Sequence, residues 1–177
     1  MSAIPSVEAA RISDSLLAIC QSIQDSRFGT ALHESQYMFP LIETTHVLGL
    51  AASVGLILMT DLRLVGAFLV DQPVFEVTQQ LKPWMLRGFA VMFVTGALLF
   101  WAEAAKCYVS PTFRWKLVFL FLAGVNALVF ERTLGPRVST WGKLPRLPGM
   151  AKFAGWASLI CWTGVIIFGR WTAYGMK

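Results

Sequence analysis

The stretch of sequence that decides the fold runs from residue 84 to residue 102 and reads WMLRGFAVMFVTGALLFWA. It holds one charged residue, Arg87, and a tryptophan near each end, Trp84 and Trp101. A helix of this length spans about 28 Å, which is close to the hydrocarbon thickness of a bilayer. Tryptophan near both ends is typical of the two membrane–water interfaces. The stretch therefore predicts a transmembrane helix.

Three further apolar runs of similar length predict three more membrane spans. They cover residues 40–59, 115–130 and 153–174, and aromatic side chains again mark most of their ends. The runs are continuous rather than alternating, which excludes a transmembrane β-barrel. We therefore expect an all-α protein whose residues 39–177 form a four-helix transmembrane bundle.

Residues 1–38 predict a different kind of segment, an amphipathic helix at the membrane interface. Ser13 and Asp14 are good N-cap residues, apolar side chains follow at helical spacing, and Gly29 is the expected end. The apolar run is too short to span a bilayer. We expect this helix to lie on the membrane surface or on its own bundle.

The composition agrees with a membrane protein. Of 177 residues, 56% are hydrophobic and only 14% charged, and the mean hydropathy is +0.61. Soluble domains carry about 25% charged residues, and disordered chains carry little hydrophobic sequence. The formal net charge of +5 does not indicate nucleic acid as a partner, because the basic residues lie at the ends of apolar runs. The expected partner is the lipid bilayer.

Four spans place both termini on one side of the membrane, which we call side A; the opposite side is side B. The basic residues of side A are Arg11, Arg27, Lys106, Arg114, Lys116, Arg170 and Lys177. Those of side B are Arg63, Lys82, Arg87, Arg132, Arg137, Lys143, Arg146 and Lys152. The tightest basic cluster lies between the third and fourth spans, which favours side B as cytoplasmic and the termini as periplasmic.

Ionisable residues within a span are costly, so they are the candidate functional residues. Five of them are expected to converge at the side A end of the bundle: Glu43, His46, Glu103, Lys116 and Arg170. Glu43 and His46 have the Glu-x-x-His spacing of carboxylate-bridged metal sites, and Glu103 would add a third ligand suited to iron or manganese. In the alternative interpretation, Glu43 pairs with Lys116 or Arg170 and holds the helices together.

A second hypothesis makes His46 a ligand of haem b. Small residues follow it, Gly49, Ala52 and Ser53, and these would leave room for a flat ring. The same residues have a commoner explanation. The pairs Gly49/Ser53 and 51/55 are small-xxx-small patterns, which allow helices to pack closely in lipid.

The ionisable and polar residues expected near side B form structural charge clusters; they are Asp61, Arg63, Arg87, Asn126 and Glu131. The middle of the spans is almost free of charge, which disfavours a proton wire or an ion pore. A carrier of protons or small ions that depends on Glu43, Glu103 or Asp61 is therefore the weakest of the alternatives.

Several segments resemble DUF6644, a bacterial family of small membrane proteins to which no activity is assigned. The matching segments are residues 39–49, 61–66, 88–92, 95–101, 113–116, 126–130 and 169–174. The resemblance implies a polytopic protein of the bacterial inner membrane. With little mass outside the membrane and no convincing catalytic set, we expect a non-enzymatic protein that acts as a homo-oligomer or as an accessory subunit of a membrane complex. The alternative is a metal- or haem-binding redox protein.

Overall fold

A computed structural model describes residues 7–138 and 147–175 of the chain. Within these ranges the chain forms eight α-helices and no strand. In chain order they are α1 (Val7–Gln24), α2 (Arg27–His33), α3 (Met38–Val65), α4 (Val74–Ala102), α5 (Ala104–Val109), α6 (Pro111–Thr133), α7 (Gly135–Val138) and α8 (Gly149–Gly175).

Four of these helices, α3, α4, α6 and α8, are long and apolar enough to cross a membrane. The predicted all-α fold with four spans is therefore confirmed. The helices are longer than the apolar runs, and α4 begins ten residues before the expected start at Trp84. Its first turns carry polar residues such as Glu76 and Gln80, which a helix tolerates beyond the hydrocarbon layer. Hydropathy thus detected the apolar part of each helix and left out its more polar ends.

The first span ends at Val65, six residues beyond its predicted end at residue 59. Gly66 follows α3 with a φ of 88°, and its backbone N–H bonds to the carbonyls of Leu62 and Arg63. This left-handed conformation is the usual helix C-cap, and glycine adopts it without steric cost. The chain therefore turns at Gly66, and the helix does not continue into the apolar residues 67–70.

The long helices pack as a bundle in which α3 contacts α4 and α8, and α8 also contacts α6. All four contribute to the middle cluster, which comprises Ile57, Ala123, Cys161, Trp162 and Val165, with Val54, Met85, Phe89, Phe119 and Leu120 packed against it. A second group, the side B cluster, comprises Leu64, Val74, Leu134, Val138, Leu147 and Ala151. The side B cluster closes one end of the bundle with apolar side chains.

The N-terminal helix lies on the protein's own side A end. It begins at Val7 rather than at Ser13 and packs against α5. Gly29 does not end it; that glycine lies inside α2, where a Cβ would collide with the carbonyl oxygen of Gln24. Gly29 is therefore needed for the close approach of the two helices. We expected the N-terminal helix to lie on the membrane surface or on its own bundle, and the structure shows it in contact with the bundle.

Candidate functional site

His46 is half-buried at the side A end of the bundle and bonds to the neighbouring helix α4. Its Nδ1 lies 2.9 Å from Thr95 Oγ1. The single hydroxyl hydrogen of Thr95 has its shortest contact, 2.7 Å, with the carbonyl of Val91. His46 also forms a hydrogen bond with the backbone of Met92, so the ring has two partners on α4. These two bonds fix the orientation of the ring against α4.

Lys116 reaches the same region from α6. It interacts electrostatically with His46 and with Cys107, its aliphatic stem lies 3.6 Å from the position of a Cβ on Gly169, and its Nζ is 6.0 Å from the Phe113 ring. No carboxylate of the described residues lies within ion-pair distance of Lys116. The lysine therefore rests its stem against α8, and its charge is not neutralised by a described acidic side chain.

Glu103 lies where α4 ends, and its partners are close in sequence or on α2. It accepts from Lys106 Nζ at 2.9 Å, and His33 Nδ1 lies 4.0 Å away. Cys107 is buried beside it on α5. Burial, with the Glu103 carboxylate as a smaller cause, raises the pKa of the Cys107 thiol to about 11. The thiol is therefore neutral at pH 7, a state in which it is a poor nucleophile and a poor metal ligand.

The expected convergence of five side A residues is only partly correct. His46 interacts electrostatically with Lys116, and the Cys107 thiol interacts electrostatically with both Lys116 and Glu103. Glu43 is exposed, and Arg170 instead donates to Tyr174 Oη at 2.8 Å on its own helix. The pairing of Glu43 with Lys116 or Arg170 was a wrong prediction, because no such ion pair occurs among the described residues.

The metal and haem hypotheses find little support in this geometry. In the described part of the chain, no group of three or more His, Cys, Asp or Glu residues is placed to hold a metal ion. Glu43, His46 and Glu103 are thus not gathered into one site. Gly49 and Ser53, which the haem hypothesis needed as open space, are packed against Met92 and Gly88 of α4. They serve the close contact of two helices.

Two buried charges mark the side B end of α3, and they do not pair with each other. Asp61 is 5% exposed, and the Ser158 hydroxyl of α8 lies within hydrogen-bonding reach of its carboxyl group. Arg63 is 2% exposed and donates from Nε to the carbonyl of Gln72 at 2.7 Å. Arg63 thus fixes the connection between α3 and α4, whereas Asp61 faces the helix α8.

The remaining side B residues have structural partners. Arg87 lies over the Trp84 ring at 4.8 Å, and Asn126 Nδ2 donates to the carbonyl of Ala154 at 3.0 Å. Glu131 forms an ion pair with Lys82. The last two contacts connect α6 with α8 and with α4, whereas Arg87 and Trp84 lie on the same helix.

Sequence reasoning missed the partners of the buried polar groups, chiefly Thr95 and Ser158. A signal for the first was present. His46 and Ser53 are seven residues apart on α3, and so are Gly88 and Thr95 on α4. Two antiparallel helices that match these intervals bring His46 to Thr95 and Ser53 to Gly88, as observed. Nothing comparable in the sequence indicates the partnership of Asp61 with Ser158.

Residues 37–175 match the family model of DUF6644, described as a family of unknown function, and the chain therefore belongs to this family. The match covers all four spans and begins just before α3. No curated protein and no solved structure matches the chain.

Proposed function

We propose that this chain is a non-enzymatic multi-pass membrane protein that acts as a homo-oligomer, in which the outer face of α3 contacts a second copy. The observation that carries the proposal is Gly55: nothing in the described structure lies within 4 Å of a Cβ at this position. The half-buried Gly55 and the exposed Ala51 form a small-xxx-small pair of the kind that lets two membrane helices approach closely.

The two small-residue pairs of α3 lie on opposite faces of the helix. Gly49 and Ser53 face α4 inside the protein, while residues 51 and 55 lie about 160° further round. The outer face also carries Leu48, which is 66% exposed, and Leu58, which is 43% exposed. One pair is thus used within the chain, and the other is available for a second chain.

Helix α6 offers a second open surface of the same kind. Ala123 is its only buried residue in the described structure, and Gly124 has no described atom within 4 Å of a Cβ. Around Gly124 lie Leu117, Phe121 and Leu128, which are 47%, 71% and 51% exposed. Either lipid or protein can cover such a surface, because both are apolar. The experiment therefore tests the two helices separately.

The test is a pair of glycine substitutions, Gly55→Leu and Gly124→Leu. Each adds a bulky side chain where the single chain has space, so the fold of the monomer is retained. At a close helix contact the same change weakens association by about tenfold or more. Gly175→Leu at the end of α8, another glycine with no described atom within 4 Å, is the matched control.

Self-association is measured by energy transfer between labelled chains in liposomes and by native mass spectrometry in mild detergent. We expect oligomers for the wild type and for Gly175→Leu, and a loss of oligomers for Gly55→Leu. A wild-type protein that is monomeric in both measurements contradicts the proposal and leaves an accessory subunit of a hetero-complex as the alternative. Loss at Gly124→Leu alone would move the interface from α3 to α6.

A further inference from the structure

Two of the three cysteines of the chain lie on helices that pack against each other at the side A end. Cys20 is half-buried on α1, and Cys107, which is 6% exposed, lies on α5. The Cys107 thiol interacts electrostatically with Cys20. The third cysteine, Cys161, belongs to the middle cluster of the bundle. Cys20 and Cys107 are therefore a pair of thiols at the interface between the N-terminal helix and the bundle.

Hydrogen bonds at two points along α1 determine which of its sides faces α5. Gln24 Oε1 accepts from the Ala105 N–H at 3.2 Å, and Tyr108 Oη donates to the carbonyl of Ser13 at 3.3 Å. Ser13, Cys20 and Gln24 lie within about 40° of one another around the helix axis, because Cys20 is seven residues after Ser13 and four before Gln24. Cys20 therefore lies between these two contacts, on the side of α1 that faces α5.

On α5, Cys107 lies between the two residues that bond to α1, Ala105 and Tyr108. Its low exposure shows that the thiol is enclosed by protein. A disulfide joins Cα atoms that are about 4.4–6.8 Å apart, and Cα atoms of α1 and α5 approach each other within 8 Å. A small adjustment of the two helices is therefore enough to bring the sulfur atoms of Cys20 and Cys107 into bonding distance.

We propose that Cys20 and Cys107 form a reversible disulfide that fixes the N-terminal helix to the side A end of the bundle. The oxidant is a second disulfide, carried by a protein or by a small molecule such as glutathione disulfide. We expect side A to be periplasmic, and the bacterial periplasm is a compartment in which disulfides form and persist. Both cysteines belong to one chain, so the bond does not depend on the proposed oligomer.

The disulfide forms by two successive thiol–disulfide exchanges. The more exposed thiol, Cys20, loses its proton and attacks the oxidant, which gives a mixed disulfide and releases one thiol. The Cys107 thiolate then attacks Cys20 Sγ and expels the second thiol. Two cysteine thiols are thus oxidised to one disulfide, the disulfide bond of the oxidant is reduced to two thiols, and the two protons lost by the cysteines end on those thiols.

The second exchange limits the rate at neutral pH. Burial, with Glu103 and Cys20 as smaller causes, raises the pKa of the Cys107 thiol to about 11, while Lys116 and Lys106 act in the opposite direction. Proximity compensates for part of this effect, because an attack within one molecule has a high effective concentration. Formation of the disulfide is therefore slow at pH 7 and becomes faster as the pH rises toward 11.

The first test oxidises the purified wild type with glutathione disulfide at mildly alkaline pH, blocks the remaining thiols with N-ethylmaleimide and digests the protein with trypsin without reduction. Trypsin releases Cys20 in peptide 12–27 and Cys107 in peptide 107–114. We expect mass spectrometry to detect these two peptides as one linked species, which a reductant separates. Cys161 is the internal control and stays unlinked.

The second test measures whether the bond fixes the helix. Oxidation slows tryptic cleavage of the folded wild type after the exposed Arg27 by about tenfold or more, because the disulfide restrains local opening. Cys20→Ser loses the linked peptide and the slower cleavage, and the matched control Cys161→Ser keeps both. Thiols of Cys20 and Cys107 that stay free after oxidation overturn the proposal, as does Cys20 linked only to glutathione or to a second copy. A linked peptide without slower cleavage overturns the fixation of the helix.

Discussion

At the scale of single residues, the sharpest constraint is at Gly88, where α4 passes Ser53 of α3. A Cβ at this position would collide with Ser53 Oγ and lie 3.3 Å from Ser53 Cβ. The hydroxyl cannot simply turn away, because it donates to the carbonyl of Gly49 at 2.7 Å. The glycine is therefore required by a close helix approach rather than by backbone conformation.

We expect Gly88→Ala to lower the free energy of unfolding by about 1–2 kcal/mol, even though alanine favours helix. Adding Ser53→Ala removes the colliding oxygen and restores most of this loss. Gly175→Ala at the end of α8, where the described structure leaves open space, is the control and is neutral or stabilising by up to about 1 kcal/mol. The measurement is unfolding in mixed detergent micelles. A Gly88→Ala protein as stable as the wild type would contradict this packing.

The sequence identified the candidate ionisable residues near the bundle ends, but it did not show which of them are in contact. His46 and Asp61 were singled out because they are ionisable residues within a span. In the structure His46 is half-buried and Asp61 is buried. The pairing of Glu43 failed for a physical reason. A membrane helix is apolar on its lipid side and on its protein side, so the sequence of α3 does not show which face is inward. Glu43 lies on an exposed part of the helix.

At the scale of helices, the unexpected element is the N-terminal segment, which is bonded to the side A end of α4 and α5. Trp101 Nε1 donates to Ser26 Oγ at 3.1 Å, and the Ala105 N–H donates to Gln24 Oε1 at 3.2 Å. The Phe28 ring meets the Trp101 ring edge-on at 5.4 Å. Sequence alone predicted an amphipathic helix and left its location open, because a membrane surface and an apolar bundle end present similar chemistry.

Trp101→Phe keeps an aromatic ring beside Phe28 and removes the donor to Ser26. We expect tryptic cleavage after the exposed Arg27 to become about fivefold faster, since the loss of one hydrogen bond shifts local opening by about 1 kcal/mol. Trp171→Phe is the control, because that ring packs against Phe168. Equal cleavage rates for the wild type and Trp101→Phe would show that the Ser26 bond does not hold the segment.

At the scale of the whole molecule, the number and type of the long helices followed from hydropathy, whereas their arrangement did not. Spacing in the sequence cannot reveal that α4 and α6 meet at both ends, through Phe100 with Phe113 and through Lys82 with Glu131. These contacts join two consecutive long helices, and they depend on how each helix is rotated about its axis. Rotation is set by packing of small and aromatic residues in three dimensions.

Orientation in the membrane is a property of the whole molecule, and the structure refines the charge count behind it. On side B, Arg63 is buried and Lys82 is paired with Glu131, so neither is available to headgroups. On side A, Lys106 is paired with Glu103, and Lys116 packs against α8. The remaining charges stay nearly balanced. The segment between α6 and α8, in which basic residues are most closely spaced in sequence, therefore decides the orientation, and we expect it to be cytoplasmic.

This orientation predicts a periplasmic C-terminus. In a Gram-negative host, a C-terminal alkaline phosphatase fusion is then active, and the matching green fluorescent protein fusion is dark. Because the balance is narrow, neutralising Arg132, Arg137 and Lys152 together produces a mixed population in which both fusions report partial signals. Arg11→Gln is the control. It removes a positive charge from side A, which increases the excess of positive charge on side B and keeps the C-terminus periplasmic. A bright green fluorescent protein fusion of the wild type would invert the assignment and place the basic segment outside the cytoplasm.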